Sequence, residues 1–260
     1  MRIDPADRVR SSQTLFKDQE QKIYEKIDIL STCYIRGILW TKIILLKKRD
    51  GMGKKLILVC GLGTTGKSYW SNIIMALLAP SNPVLIDLDE VRNRYWGDRA
   101  LTLSDEEHIY KNKLTRQEVQ RAFIVDRANV VIVNMTMLTK EGHQKPFMQM
   151  IQETEEILIR IEVESALKNL RIVPAVVTPI NVRALWMDCD LEATRRRLQA
   201  RQSSHSVVAS DVLDIKVFEH GRKRFEPPDG EYYPYLRVDT SDESPEADRK
   251  RLVEIFDFVV

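Results

Sequence analysis

From residue 52 onward, short continuous apolar runs alternate with longer stretches of helical periodicity. Residues 55–60 (KLILVC) form the first run, with the character of a strand buried on both faces. Residues 83–88 (PVLIDL), 129–135 (NVVIVNM), 183–189 (RALWMDC) and 235–239 (YLRVD) predict four more strands. Helices are predicted over 68–78, 104–128 and 190–202, again after Ser210, and over 245–259. Ser104 followed by Glu107 three residues later fits a capping box. Strands alternating with helices predict an α/β fold, a five-stranded parallel sheet flanked by helices on both faces.

Two stretches do not resolve this way. Residues 139–182 are long for a single crossover. Their 153–170 portion fits a helix, yet Ile157, Ile159, Ile161 and Val163 alternate as in a strand. An insertion covering a substrate and a longer surface crossover are both consistent with this stretch. Residues 1–51 have a different texture. A polar helix fits 13–30, a helix or a strand fits 34–46, and 47–51 (KKRDG) reads as a break. The expected organisation is a mostly helical N-terminal extension over 1–51 and one domain over 52–260.

Composition sharpens the class. Of 260 residues, 43% are hydrophobic and 30% charged, the balance of a globular protein with a full core. The formal net charge is +2, from 40 basic and 38 acidic residues. That gives no support for a nucleic-acid coat or a polybasic membrane anchor. Cys33, Cys60 and Cys189 are scattered, which argues against a disulfide framework or a zinc site and for a reducing, cytoplasmic setting. No apolar signal core follows the first charges, and the most apolar stretch, 27–46, is interrupted by Asp28, Arg36 and Lys42. No membrane partner is expected.

One motif carries chemistry. Gly61-Leu62-Gly63-Thr64-Thr65-Gly66-Lys67-Ser68 fits GxxxxGK[ST] and lies between a predicted strand and a predicted helix. Glycines permit a tight loop whose N–H groups cradle phosphate oxygens at a helix N-terminus. Lys67 can reach the β- and γ-phosphates of ATP, and the Ser68 hydroxyl can ligate Mg²⁺. The second strand ends in Asp87-Leu88-Asp89-Glu90-Val91-Arg92. Strand C-termini in such a sheet face the ligand crevice. Asp89 and Arg92 share a face if a helix follows, so the carboxylate can take a proton from a hydroxyl and the guanidinium can hold an acidic group. A plain surface ion pair fits the same spacing. Asp87 reads as buried at the sheet or as reaching a metal through water. Arg197 and Arg201, four apart on a predicted helix, suit a lid that supplies cations to the γ-phosphate. Arg195 and Arg196 read as surface residues, as do His108, His143, His205 and His220. Trp70 and Trp186 read as core.

Together GLGTTGKS, DEVR (89–92), NVVIVNMT (129–136), WMDCDLEATRRRLQAR (186–201), Ser210-Asp211-Val212, FEPP (225–228) and YLRVDTS (235–241) make the chain similar to a known group. It resembles small P-loop kinases of the polynucleotide kinase, zeta toxin and chloramphenicol phosphotransferase type, AAA-domain small kinases. The resemblance runs from about residue 54 to 260. It implies the kinase-type P-loop NTPase fold, Asp89 as general base, Arg92 as a ligand of an acceptor phosphate, and Arg201 and Arg197 as lid arginines. The group commonly carries Asp near the end of the third strand, in a DxT pattern. Here the strand ends Asn134-Met135-Thr136, leaving Asn134 and Thr136 to hydrogen-bond a substrate or a metal-bound water. The function so implied is transfer of the ATP γ-phosphate to a hydroxyl acceptor: a polynucleotide 5′ end, a nucleoside, a sugar or another small molecule. The rival reading, favoured by the missing carboxylate, is an ATP-binding switch or interaction module.

Overall fold

A computed structural model describes residues 53–97, 103–136, 139–168, 179–203 and 215–260. The expectations for 1–51, for the domain start at Met52, for 210–212, and for Cys33 and His205 fall outside these residues.

The sheet has five parallel strands: β1 (Lys55–Cys60), β2 (Pro83–Asp87), β3 (Val130–Met135), β4 (Asn181–Asp188) and β5 (Tyr235–Asp239). Their order is β2-β3-β1-β4-β5, the expected class. β1 is central because all six of its residues are buried. Its register aligns Val59 with Asn134 and Cys60 with both Met135 and Trp186. All the strands point one way, so Cys60, Asp87, Met135, Asp188 and Asp239 end at one edge, where the functional loops emerge.

Seven α-helices cover the faces among the described residues: α1 (Lys67–Leu77), α2 (Leu88–Trp96), α3 (Asp105–Ile124), α4 (Lys145–Lys168), α5 (Leu191–Ser203), α6 (Ile215–Arg224) and α7 (Pro245–Val259). Side chains alternate along a strand, so each apolar run feeds two cores. Leu56, Leu58 and Cys60 join Val131, Val133 and Ala184 under α2, α3 and α4. Ile57 and Val59 join Ile132, Leu185, Met187 and Val238 under α1 and α7.

Local signals set several boundaries. Ser104 and Glu107 form both halves of the capping box of α3. The second strand stops one residue earlier than predicted, because the Asp87 side chain accepts a hydrogen bond from Asp89 N and caps α2. The undecided stretch becomes a π-turn (Lys140–Gln144) followed by α4. Phe147, Met150, Ile151, Thr154 and Leu158 recur at helical spacing and are buried, which overrides the strand-like Ile157–Val163 alternation. Within 139–168 the chain is therefore the crossover between β3 and β4, packed into the main core. No helix among the described residues is long and apolar enough to cross a membrane.

Candidate functional site

The loop from Gly61 to Gly66 leaves β1 and turns into α1. Gly61 sits at φ 148°, where a Cβ would meet Met187 O at 2.2 Å, so only glycine lets the loop lie against β4. Its N–H donates to Thr136 O at 3.2 Å, tying the loop to the end of β3. Thr64 (φ 68°) and Gly66 (φ 84°) take the left-handed region, the kind of backbone alternation found in anion-binding nests. The start of α1 has no side-chain cap. Its first N–H groups are therefore left for an anion. The Leu62 carbonyl accepts from Thr65 Oγ1 (2.9 Å) and Lys67 Nζ (2.7 Å), holding the lysine over the loop. The Leu62 side chain packs with Cys189, Ala193 and Phe218, joining the loop to α5 and α6.

Ser68, Asp87 and Asn134 come together beside this loop. Asn134 Nδ2 lies 3.2 Å from Ser68 Oγ and donates to Asp87 Oδ2 at 2.6 Å. Burial pushes the Asp87 carboxyl above its ordinary range; the hydrogen bond from Asp89 N opposes this. Asn134 Oδ1 is buried without a hydrogen-bond partner among the described residues. The Ser68 hydroxyl and the Asp87 carboxylate are hard oxygen donors of the kind that suit Mg²⁺ completed by phosphate oxygens and water, and the Asn134 amide bridges them through its NH₂ group. Among the described residues no cluster of three or more His, Cys, Asp or Glu could hold a metal alone. Ser68 and Asp87, the two residues the sequence offered for a metal, are linked through Asn134 between them. The capping role of Asp87 was missed, although Asp87 followed by Glu90 has the capping-box spacing. Thr136 is exposed and contributes its backbone oxygen to the loop.

One turn into α2, Arg92 Nη2 lies 3.0 Å from Asp89 Oδ1. The arginine side chain is 13% exposed and that of Asp89 47%, so the pair is covered on its cationic side and open to solvent at its carboxylate. On α3, burial and then the Arg92 charge lower the pKa of Lys111, against the opposite pull of Asp89. Sequence reading did not single Lys111 out, because nothing in the spacing of α3 marks a residue that meets α2.

The lid arginines separate. Arg197 Nη1 donates to Thr64 O (2.9 Å) and approaches Thr240 Oγ1 (3.2 Å), Nη2 donates to Thr240 O, and Nε donates to Glu243 Oε1 at 2.7 Å. It clamps α5 to the loop and to the end of β5. The backbone of Arg201 lies in α5, and its side chain is outside the described residues. Arg195 and Arg196 are exposed, and Trp70 is buried, as expected. Trp186 is half-buried, stacked on Phe225 at 5.7 Å, with the Arg237 guanidinium over its ring. His143 departs from the surface reading. It is half-buried between Thr139 Oγ1 (3.0 Å from Nδ1) and Asn112 Nδ2 (3.2 Å from Nε2). Burial, then the charges of Lys111 and Arg116, lower its pKa to about 4.

No curated protein matches the chain. Solved structures do. A putative kinase from Chloroflexus aurantiacus is 16% identical, with 81% of this chain and 100% of that one covered and a TM-score of 0.47. Shikimate kinase from Acinetobacter baumannii, in complex with shikimate, is 12% identical over 78% and 93% of the two chains, with a TM-score of 0.43. The Mycobacterium tuberculosis APS kinase CysC, in complex with AMPPNP and APS, is 13% identical over 79% and 98%, with a TM-score of 0.44. A family model described as AAA domain matches residues 56–228. That span runs from β1 past α6 and takes in the phosphate loop, Asp87, Asp89, Arg92, Asn134 and Arg197, and the chain belongs to this AAA_33 family of AAA domains.

Proposed function

We propose that the protein is an ATP-dependent kinase that transfers the γ-phosphate of ATP to a hydroxyl acceptor, akin to the polynucleotide kinase and zeta toxin group. The observation that carries this reading is the short path from the phosphate loop to a candidate base. Ser68 is joined through Asn134 to Asp87, and Asp89 stands two residues beyond Asp87 in the first turn of α2. A base one helical turn from a phosphate cradle is the arrangement that in-line attack by a hydroxyl calls for.

In this reading Gly61–Ser68 holds the triphosphate through backbone N–H groups, and Lys67 leaves the Leu62 carbonyl to pair with phosphate oxygens. Mg²⁺, held by Ser68 and Asp87 with Asn134 bridging them, would supply charge neutralisation at the phosphates. Asp89 accepts the acceptor's proton as the new O–P bond forms and ADP departs. Arg92 orients the acceptor, and Arg201 is the lid cation. Arg197 anchors the lid helix against Thr64 and Thr240, so closure is expected to pivot about it and exclude water.

The test is incubation with labelled ATP and a panel of acceptors: 5′-hydroxyl oligonucleotides, nucleosides, sugars, and phenicol or aminoglycoside antibiotics. Acceptor-dependent label transfer supports the kinase. Tight ATP binding with no transfer supports the switch.

A further inference from the structure

We infer that a cavity at the β4–β5 corner of the sheet binds a small aromatic carboxylate, its ring against Leu62, Trp186 and Phe225 and its acid group on Arg222. The site is separate from the Asp89–Arg92 pair and holds whatever the acceptor is: β4 and β5 lie on the opposite side of β1 from β2.

The cavity measures about 250 Å³ and takes Leu62 of the phosphate loop into its wall. It opens at the C-terminal ends of the strands, the edge at which open α/β sheets receive ligands. Along β5, Leu236 and Val238 pack into the core while Tyr235, Arg237 and Asp239 are exposed. Trp186 lies next to Arg237 in the β4–β5 register and stacks on Phe225 at 5.7 Å. The wall is therefore mostly apolar and aromatic, with three charged side chains: Asp188, Arg222 and Arg237.

Two of these charges neutralise each other. Asp188 Oδ2 accepts from Arg237 Nε (3.1 Å) and Nη2 (2.6 Å), and Asp188 Oδ1 accepts from Cys189 N (3.0 Å). Both carboxylate oxygens are thus taken. Arg222 is the cation left over, with no hydrogen bond or ion pair among the described residues. It shares the last turn of α6 with Lys223 and Arg224, where the helix dipole favours any cation, but it is Arg222 that lines the cavity.

Size and charge then choose the ligand. An apolar cavity of ~150 Å³ takes benzene. The larger volume here has room for one ring with an acid group. A carboxylate brings one negative charge and two oxygens to the guanidinium fork, whereas a phosphate monoester at about −2 exceeds the single free cation.

Benzoate is the probe. It is titrated into the full chain while the tryptophan indole ¹H–¹⁵N NMR signals are followed, with that of Trp186 assigned from Trp186→Phe. A saturable shift of the Trp186 signal is expected, with Trp70 unmoved; Trp70 packs against Gly66 and reports binding at the phosphate loop instead. Acetate, which lacks the ring, and benzyl alcohol, which lacks the charge, are each expected to bind at least ~10-fold more weakly. Arg222→Gln is expected to weaken benzoate at least ~10-fold, and Lys223→Gln to leave it unchanged. No shift at Trp186, a titration indifferent to Arg222→Gln, or benzyl alcohol binding as tightly as benzoate overturns the site. Phenyl phosphate binding more tightly than benzoate at the Trp186 signal overturns the carboxylate assignment.

Discussion

The two flanks of the phosphate loop differ in how far their cations are met by neighbouring acceptors. On the β4–β5 flank, cations are met largely from within, although Arg251 Nε has no hydrogen-bond partner among the described residues. Arg197 meets two backbone carbonyls and Glu243. Arg251, 7% exposed, donates to Asp239 O and Asp242 O and pairs with Asp248. Arg237 makes two bonds to Asp188 Oδ2. On the β2 flank, Arg92 faces the half-exposed Asp89 carboxylate and keeps Nε and Nη2 unmet, and burial, then the Arg92 charge, lowers the pKa of Lys111. The first flank uses charge to fix the loop and the lid base. The second keeps charge in reserve, the usual trade of stability for a binding surface.

Four substitutions break or sharpen this contrast, taken in falling order of effect. Lys67→Ala removes the cation common to both flanks. It is expected to lower kcat at least ~100-fold in an acceptor-dependent assay, with circular dichroism unchanged. Asp89→Asn, on the β2 flank, is expected to lower kcat by ~100- to 10,000-fold while the KM for ATP stays within a few-fold. Normal turnover in this variant would remove Asp89 from the role of base. On the satisfied flank, Arg251→Met leaves two carbonyls and Asp248 without their donor, for a loss of about 2–3 kcal/mol in chemical denaturation. Lys111→Met is the sharp counterpart: with its repulsion of Arg92 gone, the melting temperature is expected to hold or rise. A fall as large as that of Arg251→Met would mean that the two flanks are built alike.

The smallest effect concerns pH. His143 is held neutral in the fold by burial and by Lys111 and Arg116, with a pKa of about 4. Its unfolded counterpart titrates near 6.5, so the unfolded chain binds the extra proton first. The stability contributed is complete above that value and is lost as pH falls toward about 4. Melting curves from pH 7 to 4.5 should drop more steeply for the native chain than for His143→Gln; parallel curves would exclude the linkage.

The sheet was legible because its strands are continuous apolar runs, and a run such as KLILVC leaves no face for water. The phosphate loop was legible because its backbone demands glycines at fixed spacing: Gly61 has no room for a Cβ beside Met187 O. Asp89 and Arg92 were legible because i,i+3 spacing acts within one helix. What stayed hidden depends on contacts between elements. Lys111 matters only because α3 lies beside α2, and no local pattern encodes that. Arg197 was visible as a basic residue but not as a clamp, since Thr64 O and Thr240 O are carbonyls that every residue possesses. His143 was read as a surface residue because its burial comes from the π-turn and from Asn112 on another helix. The alternation of Ile157–Val163 misled for the same reason: the buried set of α4 is fixed by the core it meets.

The central claim is that the β2 flank receives a hydroxyl acceptor for the γ-phosphate. Label transfer from ATP to the acceptor panel, run side by side on the native chain, Asp89→Asn and Lys67→Ala, measures it directly. The expected result is acceptor-dependent transfer by the native chain that collapses in both variants while AMPPNP affinity survives in Asp89→Asn. Tight AMPPNP binding with no transfer to any acceptor, or transfer undiminished in Asp89→Asn, would contradict it.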